Sequence, residues 1–181
     1  MNFLQFSDKE RRYDYSSLMV ELPEHLTDNI ISWGFDHVPD ETLFNSEDFL
    51  FGREDDIHIT VIYGIHTSNV KQVSKNFIDE KQIDCTLGKI SLFTKNKNFD
   101  VLVIDVFSEG LHKLNSRMKS SLLVTQNHAF YVPHVTIAYL KKGTGNKYVG
   151  DDTFNGERFN IDKVFFSSKT GKKTPISLEA T

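Results

Sequence analysis

Two short segments of this 181-residue chain repeat one pattern: Ile57-His58-Ile59-Thr60-Val61-Ile62-Tyr63 and Pro133-His134-Val135-Thr136-Ile137-Ala138-Tyr139. Each sets a histidine and a threonine two positions apart within an apolar, β-branched run, the composition of a half-buried strand. In a strand, residues i and i+2 share a face. Each segment therefore aims an imidazole and a hydroxyl in one direction, with Ile59 or Val135 packed behind. Two such strands facing each other would gather two imidazoles and two hydroxyls around one small cleft. A third His-x-Thr triplet, His25-Leu26-Thr27, follows Pro23-Glu24 where a helix is expected to begin. There, residues two apart do not share a face, so His25 is set aside.

The strand signals continue on both sides of the repeat. Tyr13 to Leu22 reads as a strand closed by Pro23, and Glu24 to Trp33 as a helix ended by Gly34. Residues 36–55 are polar and acidic and read as a long surface loop. The first His/Thr strand, about 57–65, leads into a helical pattern over 66–80 carried by Val70, Val73, Phe77 and Ile78. Residues 83–93 and 100–107 read as strands joined by the turn Lys95-Asn96-Lys97-Asn98. Glu109 to Leu123 is an amphipathic helix with Leu111, Leu114, Met118 and Leu122 on one face. After the second His/Thr strand, about 132–140, residues 141–156 form a Gly/Lys/Asp-rich loop. Residues 159–167 and 174–178 suggest a closing hairpin over Lys169-Thr170-Gly171-Lys172. Each half contributes one His/Thr strand, and the approximate duplication predicts an α+β architecture with two sheet lobes.

Composition narrows the functions open to such a chain. A hydrophobic content of 39% with fifteen Phe marks a folded protein. A net charge of −4 provides no basic footprint for long nucleic acid, though a local cluster can still hold a small anion. Cys85 is the lone cysteine and reads as a buried structural thiol. No apolar run has the length of a membrane span or leader, so a cytoplasmic protein without membrane partners is expected. Spacings such as HxH, HExxH and CxxC are absent, and Asp55-Asp56 and Asp151-Asp152 read as solvated loop charge, so no metal or cofactor is expected. Two histidines suit phosphodiester chemistry, which needs one proton removed from the nucleophile and one delivered to the leaving oxygen near neutral pH. Thr60 and Thr136 would donate to the non-bridging oxygens. His66, His112 and His128 read as surface residues.

Taken together, HITVIYGIH, the helix before the second motif, the approach Phe130-Tyr131-Val132-Pro133-His134-Val135-Thr136 and the strands around Leu87-Gly88-Lys89-Ile90 and Val101 to Val106 resemble the 2H phosphoesterase superfamily. That superfamily includes proteins similar to 2′,5′ RNA ligases and cyclic nucleotide phosphodiesterases. The resemblance implies two pseudo-symmetric lobes with antiparallel sheets around a central groove, helices outside, in one bilobal domain over 1–181. It also implies a metal-independent phosphodiesterase with His58, Thr60, His134 and Thr136 as its catalytic residues. The first motif and compact chain look most like phage-type anti-CBASS members that degrade cyclic oligonucleotide signals, which would place the protein in a host cytoplasm. Tyr139 and Leu140 stand where RNA-ligase-like members often carry an arginine.

For substrate grip, Tyr13, Tyr15, Trp33, Tyr131 and Tyr139 are the aromatic candidates, since nucleobases stack on aromatic rings. Tyr15 is preferred because the resemblance puts a first-strand aromatic beside the base pocket. Lys141, Lys142 and Lys147 lie past the second motif, where a loop could neutralise phosphate. The expected partner is a small nucleotide, with a cyclic oligonucleotide foremost. The rival readings are an RNA-end enzyme acting on a 2′,3′-cyclic phosphate or 2′,5′-oligoadenylate, and a nucleotide-binding module without turnover.

Overall fold

A computed structural model describes residues 13–44, 52–77, 80–125 and 130–179. Its strands are β1 (Ser16–Glu21), β2 (His58–Ile65), β3 (Ile83–Phe93), β4 (Phe99–Phe107), β5 (His134–Lys141), β6 (Arg158–Ile161), β7 (Lys163–Ser167) and β8 (Lys173–Ser177). Its helices are α1 (Glu24–His37), α2 (Val70–Ser74) and α3 (Glu109–Ser121). The eight strands form one antiparallel sheet in the order β6-β3-β4-β5-β2-β1-β7-β8. Its two halves, β6-β3-β4-β5 and β2-β1-β7-β8, meet along β2 and β5, where Ile59 and Val135 are register partners.

Each half contains a strand–helix–strand unit, β1-α1-β2 in one and β4-α3-β5 in the other. The helix of each unit packs behind the motif strand of the other: α1 against β5, and α3 against β2 and β3. Leu26, Ile30, Trp33 and Gly34 form the buried stripe of α1, at the spacing a helix needs to cover a sheet. Gly34 permits close approach, since a Cβ there would stand 3.4 Å from the Ile137 Cγ2. In α3, Leu111, Leu114, Asn115 and Met118 are buried. The buried Asn115 amide donates to the Val61 carbonyl at 2.7 Å, tying α3 directly to β2. Ser108 caps α3 by accepting from Leu111 N at 3.2 Å, while its own hydroxyl donates to the Asp84 carbonyl on β3.

Four sequence expectations change. The first helix does not end at Gly34 but runs through it to His37, with Gly34 packed in the buried stripe. The helical pattern over 66–80 yields only α2 and a 3-10 turn at Lys75–Phe77, and Ile78 lies outside the described residues. Part of the loop expected over 36–55 is paired with β5: Tyr139 N donates to Gly52 O at 2.8 Å, and Glu54 N to Ile137 O at 2.9 Å. The run 159–167 is not one strand. It breaks at Asp162 into β6, paired with β3, and β7, paired with β1. Since β6 and β7 belong to opposite halves of the sheet, a one-residue link between them requires the sheet to curl until those strands meet. His128 also lies outside the described residues, whereas His66 and His112 are exposed.

Candidate active site

The register around Ile59 and Val135 fixes the arrangement of the motif residues. Both side chains are fully buried toward the helices. Their neighbours His58, Thr60, His134 and Thr136 are all half-buried and point to the opposite face. Continuing the antiparallel pairing sets His58 opposite Thr136 and Thr60 opposite His134. The two histidines thus stand on one diagonal, as neighbours about 7–8 Å apart backbone to backbone, and the two threonines on the other.

The outer strands extend this square by the same symmetry. Glu21 on β1 is the register partner of His58, and Asp105 on β4 is the partner of His134. Met19 pairs with Thr60, and Val103 with Thr136. An approximate two-fold axis between Ile59 and Val135 therefore relates His58 to His134, Thr60 to Thr136 and Glu21 to Asp105.

Both imidazoles are held in the same way. His58 Nδ1 donates to the Asp56 carbonyl at 2.5 Å, and His134 Nδ1 donates to the Val132 carbonyl at 2.7 Å. A carbonyl only accepts, so Nδ1 carries a proton in both rings. Nε2 is left as the nitrogen that can take up or release a proton. Histidine orientation through its second nitrogen is a general device in acid–base sites.

The surroundings of the two histidines differ. Beside His58, Lys173 of β8 reaches Asp56 at 2.7 and 2.9 Å and Glu21 at 3.4 Å. Burial works against the Lys173 charge, but the Asp56 and Glu21 carboxylates outweigh it and raise the ammonium above its ordinary range. Glu54 lies nearby, and burial pushes its carboxyl up from the ordinary 4.5 despite a hydrogen bond from Asp56 N and the proximity of His58. Beside His134, the Phe93 ring stands edge-on at 4.7 Å, and the Ser91 hydroxyl donates to Asp105 at 2.6 Å.

The binding candidates are dispersed. Tyr15 packs edge-to-face on Tyr63 at 5.8 Å and lies 5.1 Å from the His66 ring. Tyr13 is tied to the β7–β8 turn, donating its N–H to Lys169 O at 2.7 Å. Tyr139 contacts Phe99 at 5.6 Å, and burial together with the Glu54 charge raises its phenol. Lys141 donates to the Glu41 carbonyl. Lys142 donates to the carbonyls of Thr94 and Asn96 and to the buried carboxylate of Asp100, so its ammonium anchors the β3–β4 turn. Trp33 is buried against His37, Tyr148 and Phe154 in the core. Tyr131 points inward, its hydroxyl donating to the Thr60 carbonyl at 3.1 Å, and burial drives its phenol up. Two surface hollows, one lined by His66, Gln72 and Leu123 and one by Ser68, Val70 and Lys172, contain none of the four motif residues.

Sequence reasoning missed Glu21, Asp105, Phe93, Glu54 and Lys173. Each is near a motif histidine only through strand pairing or a long-range ion pair, so no local spacing pointed to them. Glu54 carried one signal, its position in the acidic run directly before the first motif.

A family model described as anti-CBASS protein Acb1 matches residues 50–161. No curated protein sequence matches the chain. Among solved structures, TT0787 of Thermus thermophilus is similar with a TM-score of 0.64 at 14% identity, covering 91% of this chain and 95% of that one. LigT of E. coli complexed with 3′-AMP is similar with a TM-score of 0.59 at 17% identity, over 92% and 96% of the two chains. Usb1 of Kluyveromyces marxianus with uridine monophosphate is similar with a TM-score of 0.54 at 9% identity, over 91% and 98%. These share the curled antiparallel sheet and few helices of the 2H phosphoesterase fold.

Proposed function

Since the chain belongs to the anti-CBASS protein Acb1 family and is a phosphodiesterase, we propose that its substrate is a cyclic oligonucleotide signal whose 3′,5′-phosphodiester is cut between His58 and His134. The observation that carries this reading is the diagonal pair of imidazoles, each presenting Nε2 because its Nδ1 is held by a carbonyl two residues back. One Nε2 takes the proton of the attacking 2′-hydroxyl, and the 2′-oxygen bonds to phosphorus. The other delivers a proton to the departing 5′-oxygen as its bond to phosphorus breaks. Thr60 and Thr136 donate to the non-bridging oxygens, where negative charge accumulates. Water then opens the resulting 2′,3′-cyclic phosphate with the two proton roles reversed. The four residues carry this scheme without a metal, and a host cytoplasm is its setting.

A second reading, an enzyme acting on RNA ends, is supported by the neighbours whose structures hold 3′-AMP and uridine monophosphate. Incubation with cyclic di- and trinucleotides, 2′,5′-oligoadenylate and a 2′,3′-cyclic RNA end, with chelator present, separates the two. Linearised cyclic substrate is the expected product, and cleavage confined to the RNA end would refute the cyclic-signal reading.

A further inference from the structure

Beyond His134, the same face of β4 continues into an aromatic surface that the catalytic scheme leaves unused. Phe107 is 62% exposed although it ends a strand of the sheet. Its pairing follows that of Asp105 with His134, so Val132, itself 49% exposed, stands opposite it. The bond from Val106 N to Pro133 O at 3.1 Å confirms that register. Gly88 on β3 makes room for the ring. A Cβ at that position would stand 2.7 Å from a Phe107 ring carbon and 3.1 Å from the Asp105 Cβ. The aromatic ring is therefore backed by bare backbone on one side and open on the other.

The structure assigns Phe107, with Val132 beside it, as a stacking platform for the nucleobase on the β4–β5 side of the scissile phosphate. Two positions along a strand span about 7 Å, roughly the separation between a nucleobase and the phosphate on its own sugar. Phe107 is the diagonal neighbour of His134 across β4 and β5, about 7–8 Å away, so a base stacked there leaves its phosphate on the His134 side of the motif square. The edge-to-face pair Tyr15–Tyr63 gives the other half an aromatic surface of its own. With one such surface in each half, the substrate class is an internal linkage flanked by two nucleosides rather than a terminal cyclic phosphate. A purine, with its larger face, is the better occupant. This assignment rests on the phosphodiester reading of the four motif residues.

The test is binding of a deoxyadenosine dinucleotide, which lacks the attacking 2′-hydroxyl, measured by calorimetry alongside inorganic phosphate. Phe107→Ala weakens the dinucleotide by about 5- to 150-fold, the worth of one base–aromatic stack, and leaves phosphate binding unchanged. Phe107→Trp restores the affinity, and Gly88→Ala, which displaces the ring, weakens it in the same direction. Dinucleotide affinity within twofold of the parent in Phe107→Ala, or a parent protein that binds the dinucleotide no better than phosphate, overturns the platform. Cleavage is read separately: a protein that loses dinucleotide binding on Phe107→Ala but cuts no ribonucleotide keeps the platform and loses the catalytic reading.

Discussion

Ile59 and Val135 are register partners at the seam of the sheet, and the approximate two-fold axis passes between them. Their burial is what turns His58, Thr60, His134 and Thr136 to the opposite face. The seam is held from behind by crossed helices, each belonging to the other half's strand–helix–strand unit. The motif square is thereby braced by both halves at once.

The symmetry predicts comparable costs for the two histidines. His58→Ala and His134→Ala each lower kcat by about 10²- to 10⁴-fold, the usual worth of general acid–base catalysis. The double variant loses little more than the worse single one, because groups acting as a unit are not additive. Steady-state rates on a cleaved nucleotide, with thermal melts to confirm folding, measure this; near-normal turnover in either single variant removes that residue from the scheme.

Asn115 supports β2 from the core. Asn115→Ala leaves the Val61 carbonyl without this donor and destabilises the fold by about 1–3 kcal/mol. Urea denaturation reads the change, and a loss below measurement error would show that the carbonyl finds another partner.

Glu54 has a pH signature. Its folded-state pKa lies above the unfolded value, so the proton is bound more tightly in the native protein. The stabilising contribution is fully present below 4.5 and is lost as pH rises through the folded-state value. Glu54→Gln, which keeps an oxygen for the bond from Asp56 N, is therefore more stable than the parent near neutral pH. The two melting curves converge in acid; a constant gap at all pH values contradicts the prediction.

Lys173 acts on His58 through Asp56, whose carbonyl sets the imidazole and whose carboxylate the lysine holds. Lys173→Met lowers kcat by up to about 10²-fold, the cost of a misplaced catalytic group. KM changes less, and Lys173→Arg restores most of the rate. An effect confined to KM would instead identify Lys173 as a substrate contact.

Much of the sheet was legible because its strands are rich in apolar β-branched residues and its turns carry the expected residues. β3, β4, α3 and both His/Thr strands follow their sequence patterns closely. The break at Asp162 escaped notice because residues 159–167 read as one strand of a hairpin, with apolar residues on both sides of Asp162-Lys163. Yet Phe159 and Ile161 are buried at odd positions, and Val164 and Phe166 at even ones. That slip in phase is the trace of a chain leaving one ladder for another. Around the site, the motif residues were visible from local spacing, while Glu21 and Asp105 needed the strand order. Lys142 illustrates the converse. A lysine just past the motif suggested phosphate contact, but the buried Asp100 carboxylate across the turn takes its charge.

The strand order also orders assembly. The half built on β1 and β2 takes its outer strands β7 and β8 from the far end of the strand series, whereas β6, one residue earlier, closes the other half. The ion pair that secures the neighbour of the first histidine therefore joins residues 117 positions apart, and it forms only when the half built on β1 and β2 has closed.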